Sequence, residues 1–202
     1  MTGKKKSSRG AASSALSEED SSGTRRRQIL QAAAKLFSSK GFDATTVRDI
    51  AAEAGILGGS IYYYFSSKDD IFLAVHSAGI DMITHAVLDA IRDITDPWQQ
   101  LEAMAVAHCN TLLSWGEMAV FVAPSYSESL KHLRPELVRQ RDRYEKLIAG
   151  IIERLDLPEH IDRTLFRLHF LGALNWMPTW YRHDAGKDPA ELGRQLVAML
   201  RR

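Results

Sequence analysis

Residues Thr45–Asp70 read TTVRDIAAEAGILGGSIYYYFSSKDD, and this stretch decides the fold. Thr46 followed three positions on by Asp49 predicts a capping box, in which hydroxyl and carboxylate each take one backbone N–H at a helix start. Val47, Ile50, Ala51 and Ala54 then recur on one helical face. Gly55 supplies the left-handed turn that ends this helix, with Ile56 plugging the core beneath it. A second short helix is expected from about Gly58 to Phe65, pinned by Ile61 and Phe65 at a spacing of four. Ser67 and Asp70 repeat the capping-box pattern and open a long helix. Its apolar face runs through Ile71, Phe72, Val75, Ile80, Ile83, Val87 and Ile91.

Upstream, Arg25, Arg26 and Arg27 open a helix with an Ile29, Leu30, Ala33, Leu36 and Phe37 stripe, and Gly41 ends it. Residues 1–24 hold one large apolar side chain, Leu16, too little burial to offset ordering entropy, and disorder is expected there. Downstream of Asp96 and Pro97, helical periodicity resumes in Trp98, Leu101, Met104, Ala105, His108, Leu112 and Trp115. Further helical segments are expected near 118–130, 135–155, 161–178 and 188–200, with prolines at their starts, ends or kinks. The expected fold is all-α. A three-helix N-terminal head with a helix-turn-helix (25–72) follows the tail (1–24) and precedes a larger helical domain for ligand binding and dimerisation (73–202).

Composition narrows the function classes. The 202 residues are 45% hydrophobic and 25% charged, with a net charge of +1, so the chain is not a generally basic nucleic-acid coat. Residues 1–24 carry four positive and three negative side chains and residues 25–70 carry seven and five, a sum of +3. Residues 71–202 carry fifteen and seventeen, a sum of −2, so the N-terminal end is the one suited to a polyanion. The single cysteine, Cys109, lies in an apolar helical pattern and reads as a buried thiol rather than a disulfide partner. No uninterrupted apolar run reaches the roughly 18 residues of a spanning helix, and Lys4–Lys6 have no apolar segment behind them. A cytoplasmic protein without a membrane partner is expected.

A short helix enters a major groove only if its inner face is pinned and its outer face fits closely. Gly58 and Gly59 remove bulk at the tip, at a cost of roughly 1 kcal/mol or more in helical positions against alanine. Ser60, Tyr62 and Tyr63 lie off the buried Ile61–Phe65 axis, and tyrosine offers a hydroxyl for phosphate and a flat face for sugar or a thymine methyl. Arg48 can reach phosphate or a base edge, and Lys68 suits a phosphate.

The arrangement Gly41-Phe42-Asp43-Ala44-Thr45-Thr46-Val47-Arg48-Asp49-Ile50-Ala51, then Ala54-Gly55, then Ser60-Ile61-Tyr62-Tyr63-Tyr64-Phe65-Ser66-Ser67-Lys68 resembles the TetR family of bacterial transcriptional regulators. The resemblance covers about residues 25–72 and implies a homodimer on a palindromic operator, most often a repressor released by a small molecule. It implies that Thr46 and Arg48 meet the operator, that Gly59, Ser60, Tyr62 and Tyr63 belong to the reading helix, and that Lys68 binds phosphate. Leu57 stands where a small hydroxyl residue commonly caps the reading helix, Gly58 where a larger polar residue is frequent, and Tyr64 where histidine is frequent.

The remainder contains no coherent catalytic or metal constellation: the histidines are scattered, without HExxH or CxxC spacing. No enzyme, cofactor or metal is expected. A cavity between helices is the expected ligand site, with Met104, His108, Leu112 and Trp115 as one wall, Val122 and Tyr126 beside them, and His169 and Asn175 as polar contacts. Leu165, Leu168, Gly172 and Trp176, with Leu192, Leu196 and Met199, form the expected dimer surface. The run Gly172–Arg182, followed by Asp188-Pro189-Ala190-Glu191-Leu192, is similar to a TetR branch governing fatty-acid, steroid or aromatic-acid catabolism. That likeness implies an acyl-CoA effector, with Arg139, Arg143 and Lys146 facing its phosphates. A hydrophobic drug-like effector and a helical acyl-binding enzyme stand as the alternatives.

Overall fold

The computed structural model describes residues 9–114, 128–182, 184 and 186–201, with side chains from residue 23 onward. The described residues are all-α, and the chain divides into two units, Met1–Ile71 and Phe72–Arg202. The first contains helix α1 (Arg9–Ala44), α2 (Val47–Glu53), a 3₁₀ helix (Gly58–Tyr63) and the first turn of α3 (Lys68–Ile91). The backbone of α1 is already helical ahead of the expected start at Arg25. Between Ala11 and Ser22 the sequence holds no glycine or proline to interrupt it.

Gly41 (φ 80°, ψ 165°) breaks the helical geometry near the end of α1. The carbonyls left open there are collected by buried Thr45, whose Oγ1 donates to Gly41 O at 2.7 Å and Leu36 O at 3.3 Å. Thr46 then caps α2: its Oγ1 accepts from Asp49 N at 3.1 Å, and Asp49 Oδ2 accepts from Thr46 N at 3.0 Å. These bonds, backbone first, hold the Asp49 carboxyl below the usual carboxylate range. The far end of α2 closes as a Schellman motif. Ile56 N donates to Ala51 O at 3.0 Å and Gly55 N to Ala52 O at 3.1 Å, with Gly55 at φ 66°.

The segment after this turn is a 3₁₀ helix rather than the α-helix expected to Phe65. Gly58 and Gly59 together cost about 2 kcal/mol in helix propensity, and Leu57 offers no side-chain cap. Ile61 is fully buried and Phe65 nearly so, each supplying about 2 kcal/mol of apolar burial. Anchoring therefore outweighs propensity and the tip stays wound as a 3₁₀ helix; Ile29, Ala33, Phe37 and Ile50 are also buried in this unit.

The second unit holds the rest of α3 with α4 (Pro97–Ser114), α5 (Arg134–Ile152), α6 (Arg163–Trp176) and α7 (Pro189–Leu200). Asp162 caps α6 by accepting from Thr164 N (2.8 Å) and Leu165 N (3.0 Å). Asp188 caps α7 by accepting from Ala190 N (3.1 Å), with Pro189 pre-set for the first turn. Ile80, Ile83, Val87, Leu101, Met104, Ile148, Phe170 and Leu174 lie in one core. Helix α7 approaches α4 so closely at Gly193 that a Cβ there would lie 2.7 Å from the Ala105 carbonyl carbon and the Val106 amide nitrogen. By length and composition α3 is apolar enough to cross a membrane. Its Ile71, Phe72, Val75, Ile80, Ile83, Val87 and Ile91 are instead buried in protein, whereas Met82 and Leu88 are exposed.

Candidate DNA-reading groove and effector cavity

Six of the residues expected to meet DNA line one groove of about 740 Å³ in the first unit: Thr46, Arg48, Gly58, Gly59, Tyr62 and Lys68. Asp43, Thr45 and Val47 complete it. The capping box fixes the first turn of α2 and so aims Arg48, which is exposed. Gly58 and Gly59 present backbone without side chains, and added Cβ atoms there would meet nothing within 4 Å on the protein side. Ser60 and Tyr63 are exposed outside the groove lining, Tyr63 at 80%. Tyr63 and the half-buried Tyr64 meet edge to face, ring centroids 5.0 Å apart. Leu57 is 81% exposed beside them, an apolar side chain at the tip.

Lys68 does more than the sequence indicated. Its Nζ donates to Phe42 O at 2.8 Å and Thr45 O at 2.9 Å and lies 4.1 Å from the Phe42 ring centroid. Two of its three protons thus fasten the α1–α2 turn to the start of α3, leaving one directed donor.

In the second unit a cavity of about 400 Å³ opens among α3, α5 and α6. Ile80, Ile83, Leu168, Leu171 and Trp176 make it chiefly apolar; His76, Arg141, Tyr144, Glu145 and Asn175 supply polar atoms. Glu145 pairs with Arg141 at 2.7 Å and stands 3.8 Å from Arg167, so two cations share one carboxylate. His76 is buried with Nδ1 2.7 Å from Gln140 Oε1, and burial pulls its pKa down against that bond. His108 is fully buried, its Nδ1 2.8 Å from Tyr144 Oη. Burial pushes the His108 imidazole down to about 4 and the Tyr144 phenol well up, so both are neutral near pH 7. A weak side-chain hydrogen bond to Asn175 opposes that shift, and neither His108 Nε2 nor Asn175 Oδ1 has a well-aligned partner among the described residues.

Of the expected ligand residues, Asn175 lines the cavity and His108 is joined to it through Tyr144. Met104 and Leu112 are buried outside its lining, and His169 is exposed. Trp115, Val122 and Tyr126 lie outside the described residues. Tyr144 and His76 also line the cavity, and no sequence motif singles out either residue. Leu165, Leu168, Gly172 and Trp176 are exposed along α6, and Met199 on α7, while Leu192 and Leu196 pack partly onto the core. Arg139 pairs with Glu136, Arg143 stands 3.5 Å from Asp81, and Lys146 is exposed. Cys109 is buried, with its thiol pushed up to about 12 and Sγ 3.4 Å from Met177 Sδ, and so has no nucleophilic character. Among the described residues no three His, Cys, Asp or Glu side chains are grouped to hold a metal.

A capped α2, a Schellman turn and an exposed, glycine-tipped segment over a shared core define a helix-turn-helix DNA-binding head, here carried on a helical body with a cavity. Residues 29–75 match the family of bacterial regulatory proteins described as tetR, and residues 95–202 match the tetracyclin repressor-like C-terminal domain. The chain belongs to the TetR family, and is a ligand-responsive transcriptional repressor rather than an enzyme. Operator binding and homodimerisation come with that fold. Among its relatives, the HTH-type transcriptional repressor KstR2 of Rhodococcus jostii (strain RHA1) is 34% identical over 186 residues, covering 85% of this chain and 86% of that one. The ketosteroid transcriptional regulator KstR2 of Mycobacterium tuberculosis superposes with a TM-score of 0.69 at 25% identity, covering 87% and 92% of the two chains. The regulator FadR from Bacillus subtilis, solved with stearoyl-CoA, does so with a TM-score of 0.73 at 23% identity, covering 86% and 96%.

Proposed function

We propose that this repressor holds a palindromic operator as a homodimer and releases it on binding an acyl-CoA or a related hydrophobic acid derivative. The observation that carries the effector reading is the cavity of about 400 Å³, apolar along α3 and α6 and edged by Arg141. Its size and its few convergent polar groups are those of a small-molecule site. Arg139, Arg143 and Lys146 on the same helix α5 suit the phosphates of a CoA head. KstR2 is a ketosteroid transcriptional regulator and FadR was solved with stearoyl-CoA, which supports a hydrophobic acyl effector for this chain too.

For DNA, the groove from Thr46 to Lys68 provides a cation, a phenol and close backbone, and two copies reach successive major grooves about 34–36 Å apart. The exposed apolar side chains of α6 (Leu165, Leu168 and Trp176) are the surface on which a second copy packs. Helix α3 supplies Lys68 to the head and Ile80 and Ile83 to the cavity, so it carries the coupling. Release requires unequal effector affinity for the DNA-bound and free arrangements, since equal affinity shifts nothing. A regulator of this kind works where the chromosome is, in the cytoplasm. Titrating acyl-CoAs into a preformed protein–operator complex tests the effector: DNA release within a physiological concentration range supports it, and no release by short, long or cyclic acyl-CoAs refutes it.

A further inference from the structure

We infer that Leu57 reads operator sequence: its side chain packs on the C5-methyl group of a thymine in the major groove, so each half-site carries an A·T pair at that position. The inference rests on reading the groove from Thr46 to Lys68 as the DNA face. Leu57 is 81% exposed, more than any other large hydrophobic residue among those described. In the first unit only Tyr62 and Tyr63 are similarly bare, and all three lie within the stretch 57–63. Leu57 contributes little to the fold. It stands at the N-cap of the 3₁₀ helix without a side-chain cap bond, and the buried anchor of that helix is Ile61. Its carbonyl accepts from Ser60 N at 2.9 Å, a bond that any residue supplies. The next two residues, Gly58 and Gly59, line the groove as bare backbone, which lets the chain come close to a duplex and carry Leu57 to its base edges.

The chemistry of the side chain selects the partner. Leucine has no polar atom to offer a phosphate or the hydrogen-bonding edge of guanine or adenine. Thymine alone presents a methyl group in the major groove. Opposite cytosine, leucine would lose that methyl and lie beside the N4 donor. Tyr62 and Tyr63 differ because each keeps a hydroxyl for a phosphate or a polar edge. Removing one methyl from water against leucine strengthens binding about fourfold.

The test uses DNA from upstream of the protein's own coding sequence, in the duplex that the full-length protein retains. Each thymine in turn is replaced by deoxyuridine, symmetrically in both half-sites, which deletes the methyl and leaves the base's hydrogen-bonding groups unchanged. Fluorescence anisotropy gives the affinities of the wild type, Leu57→Ala and Leu57→Met, with folding checked by circular dichroism. At one thymine position the wild type should lose about fourfold per half-site. Leu57→Ala should bind the thymine and deoxyuridine duplexes within about twofold of each other at that position, and Leu57→Met should retain the preference. A methyl preference that persists in Leu57→Ala at every thymine overturns the inference and leaves operator binding intact. A loss in Leu57→Ala that is uniform across all duplexes places the side chain on sugar and overturns it equally. Failure of the wild type to prefer native over scrambled DNA removes the operator reading and the inference together.

Discussion

Lys68 Nζ donates to the carbonyl oxygen of Phe42 at 2.8 Å and lies 4.1 Å from the centroid of that ring, joining positions 26 residues apart. With the parallel bond to Thr45 O, this ammonium is a clasp holding the α1–α2 turn against the start of α3. Lys68→Ala leaves two carbonyls without their charged donor and is expected to destabilise the head by about 1–3 kcal/mol. Hydrogen exchange of the α2 and Gly58–Tyr63 amides should show that loss locally. A Lys68→Ala protein with unchanged head protection and reduced DNA affinity would assign the side chain to phosphate alone.

Thr46→Ala removes the acceptor for Asp49 N and half of the capping box. Such caps are worth about 1 kcal/mol. Thermal unfolding should show that loss for Thr46→Ala and a much smaller one for Thr46→Ser, which keeps the hydroxyl.

Gly193 is fixed by packing rather than by backbone freedom. A methyl group there would meet backbone atoms of Ala105 and Val106 at 2.7–2.8 Å, and backbone cannot rotate aside. Gly193→Ala should destabilise the body by about 1–3 kcal/mol in denaturant unfolding despite the gain in helix propensity. Stabilisation instead would mean that α4 and α7 separate readily.

The buried histidines set an acid limit. His108 titrates near 4 in the folded chain and His76 is also lowered, both mainly through burial, against about 6.5 unfolded. The unfolded chain therefore binds more protons between about pH 6.5 and 4, so stability is fully present above that window and is lost as pH falls through it. For His108 the loss is of the order of 3 kcal/mol. His108→Gln should flatten the stability profile over this range, and an unaltered slope would show that His108 is not buried neutral.

Much of the head was legible because its signals are local. Thr46–Asp49 and Gly55 act within one turn of chain, so their spacing alone predicts a cap and a Schellman stop. The 3₁₀ winding at Gly58–Tyr63 was not, since anchoring by Ile61 and Phe65 hides how little helix propensity the glycines contribute. Lys68 shows a different gap: nothing local to position 68 reveals that its partners are the carbonyls of Phe42 and Thr45. In the body, helical periodicity separates inside from outside but not core from cavity wall. Met104 and Leu112 therefore read as pocket and prove buried outside its lining, while Tyr144, which nothing in the sequence singles out, lines the cavity. His169 sits near apolar neighbours in sequence yet faces solvent.

Arg48 and Tyr62 share the groove but should fail differently. Arg48→Ala should lower DNA affinity at low salt and reduce the slope of log affinity against log salt by about one, as expected for one lost phosphate contact. Tyr62→Phe keeps the ring and removes the hydroxyl; a loss confined to the preferred sequence would place that hydroxyl at a base edge, and a uniform loss at the backbone.

The most direct test of the whole account is nuclease footprinting of the purified protein on DNA upstream of its own coding sequence, beside a scrambled duplex of equal length and composition. The account predicts two protected half-sites related by a dyad and spaced by about one helical turn or a multiple of it. That protection should persist at moderate salt and vanish when both Arg48 and Tyr62 are replaced by alanine. Equal retention of scrambled and native DNA, or protection indifferent to those two residues, would contradict it.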